Sequence, residues 1–454
     1  MTVASPIDRD RLAERFANET EAFARAHPRC AEVAESGRRA LLMGVPMPWM
    51  AKWASPFPPV VAEAAGARFR CLDGLEFSDL CLGDTGAMAG HSPAPTVGAV
   101  EQQLRRGITH MLPTEDAAAV GAELEARFGL PLWQFSLSAT DANRFAIRLA
   151  RHVTGRSKVV FHDWCYHGSV DESFALLDDG GHVVSRPGNV GPPVDLALTT
   201  RIVPFNDAGA LESALADEDV AIVVMEPALT NVGIVLPEPG YHDAVRRITR
   251  ATGTLLLIDE THTLCAGWGG YTHAFGLEPD AVVVGKAIAG GIPIGAYGLS
   301  ASFAERAVAS IELEDVDVGG IGGTLAGNAL SLAAARATLD DVLTPDAFGR
   351  MTVLAERWTS DVESVIAARD LPWHVTRLGC RAEYHFLPSP PRTGAEQAAA
   401  TDFPLERYLH LAVLNRGVLI TPFHNMALMS PATVSGDVSR HSLAFEEAVA
   451  AIVA

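Results

Sequence analysis

The sequence lacks the patterns that mark several large protein classes. No run approaches the roughly 18 apolar residues needed to span a membrane, and the N-terminal MTVASPIDRDRLAERF has no apolar signal core. The six cysteines are spread along the chain without a C-x-x-C pair, which argues against a disulfide framework or a zinc site. We therefore expect a cytoplasmic protein with reduced thiols, no membrane partner and no metal.

Positive charge is also scarce. The chain has 55 acidic and 35 basic residues, for a formal net charge of −20. Because phosphate contacts need clustered Lys and Arg, this balance argues against a nucleic-acid partner. The chain also contains no Walker-A run, no H-E-x-x-H and no G-x-S-x-G, so the commonest catalytic motifs are absent.

Short apolar runs alternate with amphipathic stretches through the middle of the chain. Runs without polar alternation are typical of parallel strands that are covered on both faces. Strand–helix repetition predicts an α/β doubly wound domain that binds its ligand at the carboxyl ends of the strands. The runs predicted as buried strands are 133–137, 158–162, 221–226, 254–259 and 281–285.

Composition changes at both ends of this region and suggests three parts. A charged helical stretch and a proline-rich loop precede it, and a long charged helix with a final α+β segment follows it. The predicted parts are an N-terminal helix and pocket-wall loop at 1–60 that packs with the small domain, a large ligand-binding domain at 61–330, and a small α+β domain at 331–454.

Lys286 and Asp259 each end an apolar run. A lysine among small residues at a strand end can be partly desolvated and act as a nucleophile, although most such lysines are solvated surface charges. A carboxylate after four apolar residues needs a positive partner. A protonated pyridine nitrogen would be one, and the pair would make the ring an electron sink. The alternative is that Asp259 caps a helix.

Ser138-Ala139-Thr140 joins a predicted strand to a predicted helix. Small residues at a helix N-terminus expose backbone N–H groups where the helix dipole favours an anion, while simple capping by Ser138 or Thr140 is the alternative. This turn, Asp259 and Lys286 follow three strands of one predicted sheet, whose ends face one crevice. Together they favour an enzyme that carries pyridoxal 5′-phosphate (PLP) as a Schiff base on Lys286.

The chain resembles the class III (fold type I) PLP-dependent aminotransferases, most of all their glutamate-1-semialdehyde aminomutase branch. The resemblance spans about residues 60–430. It is densest in SATDANRFAIRLARHVTGRSKVV, CYHG, MEPALTN, LLLIDETHT, VVVGKAIAGGIPIGAYG and GGTLAGN. It implies a large domain with a mostly parallel sheet, a smaller α+β domain and PLP as the cofactor.

The resemblance also implies roles for the residues that bind the ends of the cofactor. Ala139 and Thr140 would donate hydrogen bonds to its phosphate, and Lys286 would form the Schiff base. Thr324, in GGT, would reach the phosphate held by the neighbouring subunit, so the active unit would be a homodimer.

Other matching residues would surround the pyridine ring. Tyr166 would stack on it, Glu226 and Asn231 would lie beside the edge that carries its hydroxyl, and Asp259 would pair with its nitrogen. His167 is interpreted as a structural hydrogen-bonding residue rather than a catalytic one.

The part of the sequence that would contact substrate departs from the family. Thr261 stands where a valine commonly packs against the ring, and His262 follows it. Asn425 occupies the place of the arginine of many aminotransferases or the glutamate of the aminomutases, with a register that could slip by one to His424. Asp84 replaces a frequent aromatic residue.

These departures favour an amine without an α-carboxylate clamp, held by aromatic walls such as Trp49 and by polar groups such as Asp84. Arg381 is a possible anion partner, with a structural or surface role as the alternative.

We expect a transaminase that moves an amino group between an amine or amino compound and a keto acid or aldehyde, with Lys286 shuttling the proton. The alternatives are an intramolecular aminomutase of the glutamate-1-semialdehyde type, a racemase, and a non-catalytic cofactor-binding protein. Dependence on an added keto acid separates the first two readings. A racemase would destroy chirality and keep the amine.

Overall fold

A computed structural model describes residues 6–190, 194–310 and 320–453. The chain divides into two compact units. The first, called the small unit, comprises Met1–Pro93, Gly349–Pro390 and Ala400–Ala454. The second, called the large unit, comprises Ala94–Phe348 and Pro391–Ala399.

The structure places these boundaries after Pro93 and Phe348, whereas the sequence predicts them after residues 60 and 330. The difference arises because strands that pair in one sheet can be far apart in sequence.

The described residues form helices and strands in both units. The helices are α1 (Arg9–Ala26), α2 (Pro28–Ala40), α3 (Ala94–Leu104), α4 (Glu115–Phe128), α5 (Ala139–Thr154), α6 (Ala208–Leu215), α7 (Tyr241–Thr252), α8 (Gly270–Ala274), α9 (Ala301–Ser310), α10 (Ala329–Asp341), α11 (Pro345–Ala368), α12 (Gly394–Ala399), α13 (Phe403–Asn415) and α14 (Ser435–Ala450). The strands are β1 (Val61–Ala65), β2 (Arg68–Cys71), β3 (Glu76–Asp79), β4 (Leu132–Ser136), β5 (Lys158–His162), β6 (Ala175–Leu177), β7 (Val183–Ser185), β8 (Thr200–Val203), β9 (Val220–Met225), β10 (Leu255–Asp259), β11 (Ala281–Val284), β12 (Gly295–Leu299), β13 (His374–Leu378), β14 (Arg381–His385), β15 (Val418–Leu419) and β16 (Met426–Leu428).

The large unit is built on a seven-stranded sheet in the order β4-β12-β11-β10-β9-β5-β8. All neighbours from β11 to β8 are parallel, and β12 is antiparallel to the strands on both sides of it. The predicted α/β fold with a mostly parallel doubly wound sheet is confirmed. Strands β9, β10 and β11 are buried along their whole length, as their continuous apolar sequences predict.

One detail of the predicted sheet is wrong, and one strand is missing from the prediction. The run 133–137 is predicted as a buried strand, but strand β4 lies at the sheet edge and Gln134 is exposed. Strand β12, which follows a turn at Gly290 and Gly291, was not predicted. Gly298 lets the Trp133 ring pack closely against the β12 backbone, because a Cβ there would lie 2.5 Å from the ring.

The small unit has the predicted α+β composition. Strands β1, β2 and β3 pair antiparallel and continue to β15 through a parallel pairing, while β13, β14 and β16 form a second sheet. Residues 61–93 belong to this unit because β3 pairs with β15, more than 300 residues later. No helix of the described residues is long and apolar enough to cross a membrane.

Cys30 and Cys71, distant in sequence, come together in the small unit. Their sulfur atoms and a carboxylate oxygen of Asp73 lie within 4.8 Å of one another. The Asp73 carboxylate accepts hydrogen bonds from the backbone N–H groups of Arg29 and Cys30, at 2.8 and 3.1 Å. The cluster therefore caps the first turn of α2.

Candidate active site

Lys286 lies two residues after the end of β11, in a short 3-10 turn that covers Lys286–Ala289. Its φ of 48° is in the left-handed region, which is uncommon for a residue with a side chain. The side chain is half-buried, and its Nζ lies 2.7 Å from Nε2 of His262. A lysine tied down in this way is not an ordinary solvated surface charge.

Asp259 ends β10 and is buried, with only 3% of its surface exposed. Its Oδ2 accepts hydrogen bonds from Asn143 (2.8 Å) and His167 Nδ1 (2.9 Å). Its Oδ1 accepts from the backbone N–H and the hydroxyl of Thr261, at 3.0 and 2.6 Å. The bond from the Thr261 N–H closes a local turn. Asp259 is not a helix cap, because the 3-10 helix that follows, Thr263–Ala266, has His262 as its N-cap.

The protonation of this network follows from its contacts. Burial raises the pKa of Asp259, but the hydrogen bonds from His167, Thr261 and Asn143 outweigh it, so the pKa lies below its ordinary value. Burial lowers the pKa of His167, while Cys165 and the Asp259 carboxylate raise it, with a net rise. Asp259 is therefore an ionised carboxylate, buried and fixed in orientation.

Glu226 follows β9 and is also buried. Its Oε1 accepts a hydrogen bond from the Tyr166 backbone N–H (3.1 Å), and its Oε2 accepts from the N–H (3.0 Å) and the hydroxyl of Thr230. Burial raises its pKa above the ordinary value. Asn231 donates to the Trp164 carbonyl at 3.3 Å. The segments 164–166 and 226–231 are thus joined at the ends of neighbouring strands β5 and β9.

The turn at 138–140 begins α5 and shows the capping that was left open from sequence, while the anion site stays a prediction. Ser138 is the N-cap, and its hydroxyl accepts a hydrogen bond from the Asp141 N–H. Thr140 Oγ1 accepts from the Ser169 N–H at 3.1 Å, so its own proton can still be donated. A Cβ on Gly168 would lie 2.0 Å from Thr140 Oγ1, so Gly168 is what lets this loop approach the helix.

The turn before α5 also lies beside the lysine strand. A Cβ on Gly285 would be 3.0 Å from the Cβ of Ala139, and one on Gly295 would meet the Ser138 backbone at 2.3 Å. The helix start, the Asp259 strand and the Lys286 strand therefore converge at one edge of the sheet. This is the arrangement expected of ligand sites in α/β proteins.

The remaining predicted residues are less closely tied to this cluster. Thr324 is exposed on the described chain. Trp49, Asp84 and Asn425 belong to the small unit, so their part in a substrate pocket stays a prediction. There Trp49 packs edge-on against Phe423, and Asn425 Oδ1 is 3.1 Å from His410 Nε2.

Arg381 also belongs to the small unit and is fully buried. Its Nη2 lies 3.4 Å from Glu383 Oε2, as in a structural ion pair.

Sequence reasoning missed Asn143 as a site residue. Asn143 is polar on the buried face of α5, among residues such as Ala142 and Phe145, and this interruption was a usable signal. The contact between His262 and Lys286 was also not predicted, because it depends on the spacing of two strand ends rather than on a sequence motif.

The residues of the large unit fit PLP. A buried ionised carboxylate suits a protonated ring nitrogen, and a helix start with N–H and hydroxyl donors suits a phosphate. A half-buried lysine amine suits an aldehyde carbon. Asp259 would hold the ring nitrogen, Ala139 and Thr140 the phosphate, and Lys286 the aldehyde.

The model of the Aminotransferase class-III family matches residues 49–446. The chain belongs to this family. A glutamate-1-semialdehyde-aminomutase from Pseudomonas aeruginosa PAO1 is 48% identical, with 98% of this chain and 99% of that chain covered and a TM-score of 0.96. A K286A variant of that protein was solved in complex with PMP.

Two further members give the range of the family. The glutamate-1-semialdehyde 2,1-aminomutase of Thermomicrobium roseum is 35% identical over 372 residues, which are 80% of this chain and 84% of that protein. An omega-transaminase from Sphaerobacter thermophilus is 28% identical, with a TM-score of 0.84 and coverage of 93% and 97%.

Membership confirms the predicted class III enzyme, its fold type I architecture and its dependence on PLP. The enzyme acts on small molecules. The first expectation, transfer between two molecules, is less well supported than the intramolecular alternative, because the most similar of these proteins bear the aminomutase name.

Proposed function

We propose that the enzyme is an intramolecular aminomutase of the glutamate-1-semialdehyde type, which moves an amino group between neighbouring carbons of one substrate. The proposal is carried by the 48% identity with the Pseudomonas aminomutase over nearly the whole of both chains. The ordered cluster of Lys286, Asp259 and the helix start agrees with it, because this chemistry needs each of them.

The residues of the chain would divide the work. When bound, PLP supplies an electron sink for a carbanion at the substrate carbon that bears the amine. Asp259, ionised and fixed by its hydrogen bonds, would keep the ring nitrogen protonated. The start of α5 would hold the phosphate through N–H groups and the Thr140 hydroxyl. Lys286 Nζ would carry the proton between the substrate and cofactor carbons.

A second candidate is transfer between two molecules, as first expected from the sequence. It is favoured by Asn425, which takes the place of the glutamate of aminomutases, and by the likeness to the Sphaerobacter omega-transaminase. An intramolecular reaction must keep the same molecule bound through both halves of the cycle. Without that carboxylate, the enzyme has one charged contact fewer to hold it.

The two candidates differ in their need for a second substrate. Purified enzyme with PLP should convert glutamate-1-semialdehyde to its amino-shifted isomer without added keto acid, as followed by chromatography. The Lys286→Ala variant is the matched control and should be inactive. An absolute requirement for a keto acid, with amines other than glutamate-1-semialdehyde as donors, would instead establish the intermolecular reaction.

We also propose that the active unit is a homodimer in which Thr324 reaches the cofactor of the other subunit. Thr324 is exposed and follows two glycines with positive φ, Gly322 and Gly323. Beside Gly322 lies an apolar cavity of about 500 Å³ that Leu132 and Val308 line. A contiguous exposed apolar patch is typical of a surface that another protein covers.

A further inference from the structure

His262 contacts the reacting atom of the enzyme. Its Nε2 lies 2.7 Å from Lys286 Nζ. His262 comes three residues after the end of β10 and Lys286 two residues after the end of β11, and these strands run parallel with Asp259 beside Val283. The two side chains thus project from neighbouring strand ends. The left-handed backbone of Lys286 holds the lysine at the start of its turn, and such strain is common at functional sites.

We propose that His262 is a catalytic base that exchanges a proton with Lys286. The inference rests on one part of the proposed function, namely that PLP is bound to Lys286. It holds for either reaction, intramolecular or intermolecular. The family commonly has a valine at the position of Thr261, just before His262.

The proton transfer explains how the lysine becomes reactive. A lysine amine attacks a carbonyl only in its neutral form. A proton that moves from Nζ to Nε2 leaves a neutral amine and an imidazolium, so the total charge of the pair is unchanged. The neutral Nζ amine would then be the group that joins the aldehyde of PLP, with loss of water, while His262 would hold the displaced proton.

The other ionisable groups of the site have their own hydrogen bonds. Asp259 is bonded to His167, Asn143 and Thr261. Glu226 accepts from the Tyr166 and Thr230 backbones. These contacts orient the ring-binding groups, whereas the contact of His262 is with the nucleophile itself.

The test is the rate at which cofactor-free enzyme captures PLP. A stopped-flow instrument measures this rate from the visible absorbance of lysine-bound PLP. His262→Gln should capture PLP on the order of 100-fold more slowly at neutral pH. The rate should recover as the pH rises, because hydroxide then deprotonates the lysine. Added imidazole should restore the rate of His262→Ala. His182→Gln is the matched control, since that side chain is 80% exposed in the turn between β6 and β7.

Two outcomes would overturn the proposal. One is capture by His262→Gln at the wild-type rate at every pH. The other is slowing by one constant factor at every pH without a response of His262→Ala to imidazole, which would indicate a purely structural role. Circular dichroism checks that each variant is folded. If His262→Ala is unfolded, the pH dependence of His262→Gln alone decides the test. No amino substrate is present, so failure of the proposed isomerisation leaves this result interpretable.

Discussion

Individual residues reach their roles here through buried hydrogen bonds. Asp259 shows this most clearly, because four donor groups from three residues fix both of its carboxylate oxygens. The sequence predicts the carboxylate, since a charge at the end of an apolar strand needs a partner. It does not predict Asn143 or His167 as those partners, because they come from α5 and from the segment after β5, which only the fold brings near.

Asp259→Asn tests the charge of this network and keeps its shape. We expect the variant to bind PLP on Lys286 and to lose about 100-fold or more in turnover, because the neutral amide cannot hold the ring nitrogen protonated. Steady-state kinetics and the visible spectrum of the holoenzyme measure the two effects separately. Asp243→Asn, an exposed substitution on α7, should change neither. Full turnover in Asp259→Asn would contradict the assigned role.

At the scale of elements, the start of α5 and the loop at 166–169 fit together through one glycine. Gly168 has a φ of 73°, and a side chain there would collide with the Thr140 hydroxyl. We expect Gly168→Ala to weaken PLP binding by about tenfold or more, because strain and collision both displace the phosphate turn. Fluorescence titration of cofactor-free enzyme with PLP measures the dissociation constant.

Gly155→Ala is the matched control for that experiment. Gly155 ends α5 with a φ of 68°, and a Cβ there would meet nothing within 4 Å. It shares the backbone strain, roughly 1–2 kcal/mol, but lacks the collision. Equal losses of PLP affinity in both variants would show that strain alone acts, and that the contact between Gly168 and Thr140 is unimportant.

Strand β14 carries a buried charge cluster of its own. Burial raises the pKa of Glu383, but the hydrogen bond from His424 and the charge of Arg381 lower it to about 2. Because the folded pKa lies below the unfolded value of about 4.3, the cluster stabilises the fold fully above that pH, and the stabilisation is lost as the pH falls toward 2.

Glu383→Gln should therefore lower the free energy of unfolding at pH 7 by roughly 3 kcal/mol, since it leaves buried positive charge uncompensated. The difference from wild type should shrink between about pH 4 and pH 2. Urea unfolding at several pH values measures it. Glu363→Gln, exposed on α11, should stay within about 0.5 kcal/mol throughout. A difference that is constant down to pH 3 would contradict the assigned ionisation.

At the scale of the whole molecule, the sequence predicts the class of fold better than it predicts where the chain divides into two units. The apolar runs give the buried parallel strands, because a strand covered on both faces has no polar alternation. They do not give β12, because glycine is uncommon inside strands and the contact of Gly298 with the Trp133 ring depends on the fold. They also do not place residues 61–93 in the small unit, because the pairing of β3 with β15 joins distant segments.

The proposed homodimer makes a prediction at this scale. Sedimentation should give twice the mass of one chain, and PLP should dissociate more readily as the enzyme is diluted below the dimer dissociation constant. Thr324→Ala should weaken PLP binding in the dimer without changing the sedimentation of the protein. A monomer that keeps full activity and PLP affinity would refute both the dimer and the part given to Thr324.

The identity of the lysine that holds PLP is the central claim, and the chain has only three lysines, Lys52, Lys158 and Lys286. Lys52 is exposed, and Lys158 pairs with Asp219 at 2.9 Å. Reduction of the holoenzyme with borohydride, followed by peptide mass spectrometry, should find the reduced cofactor on Lys286 and on neither of the others. The label should vanish in Lys286→Ala and persist in Lys158→Ala. A label on Lys52 or Lys158, or none at all, would contradict the account.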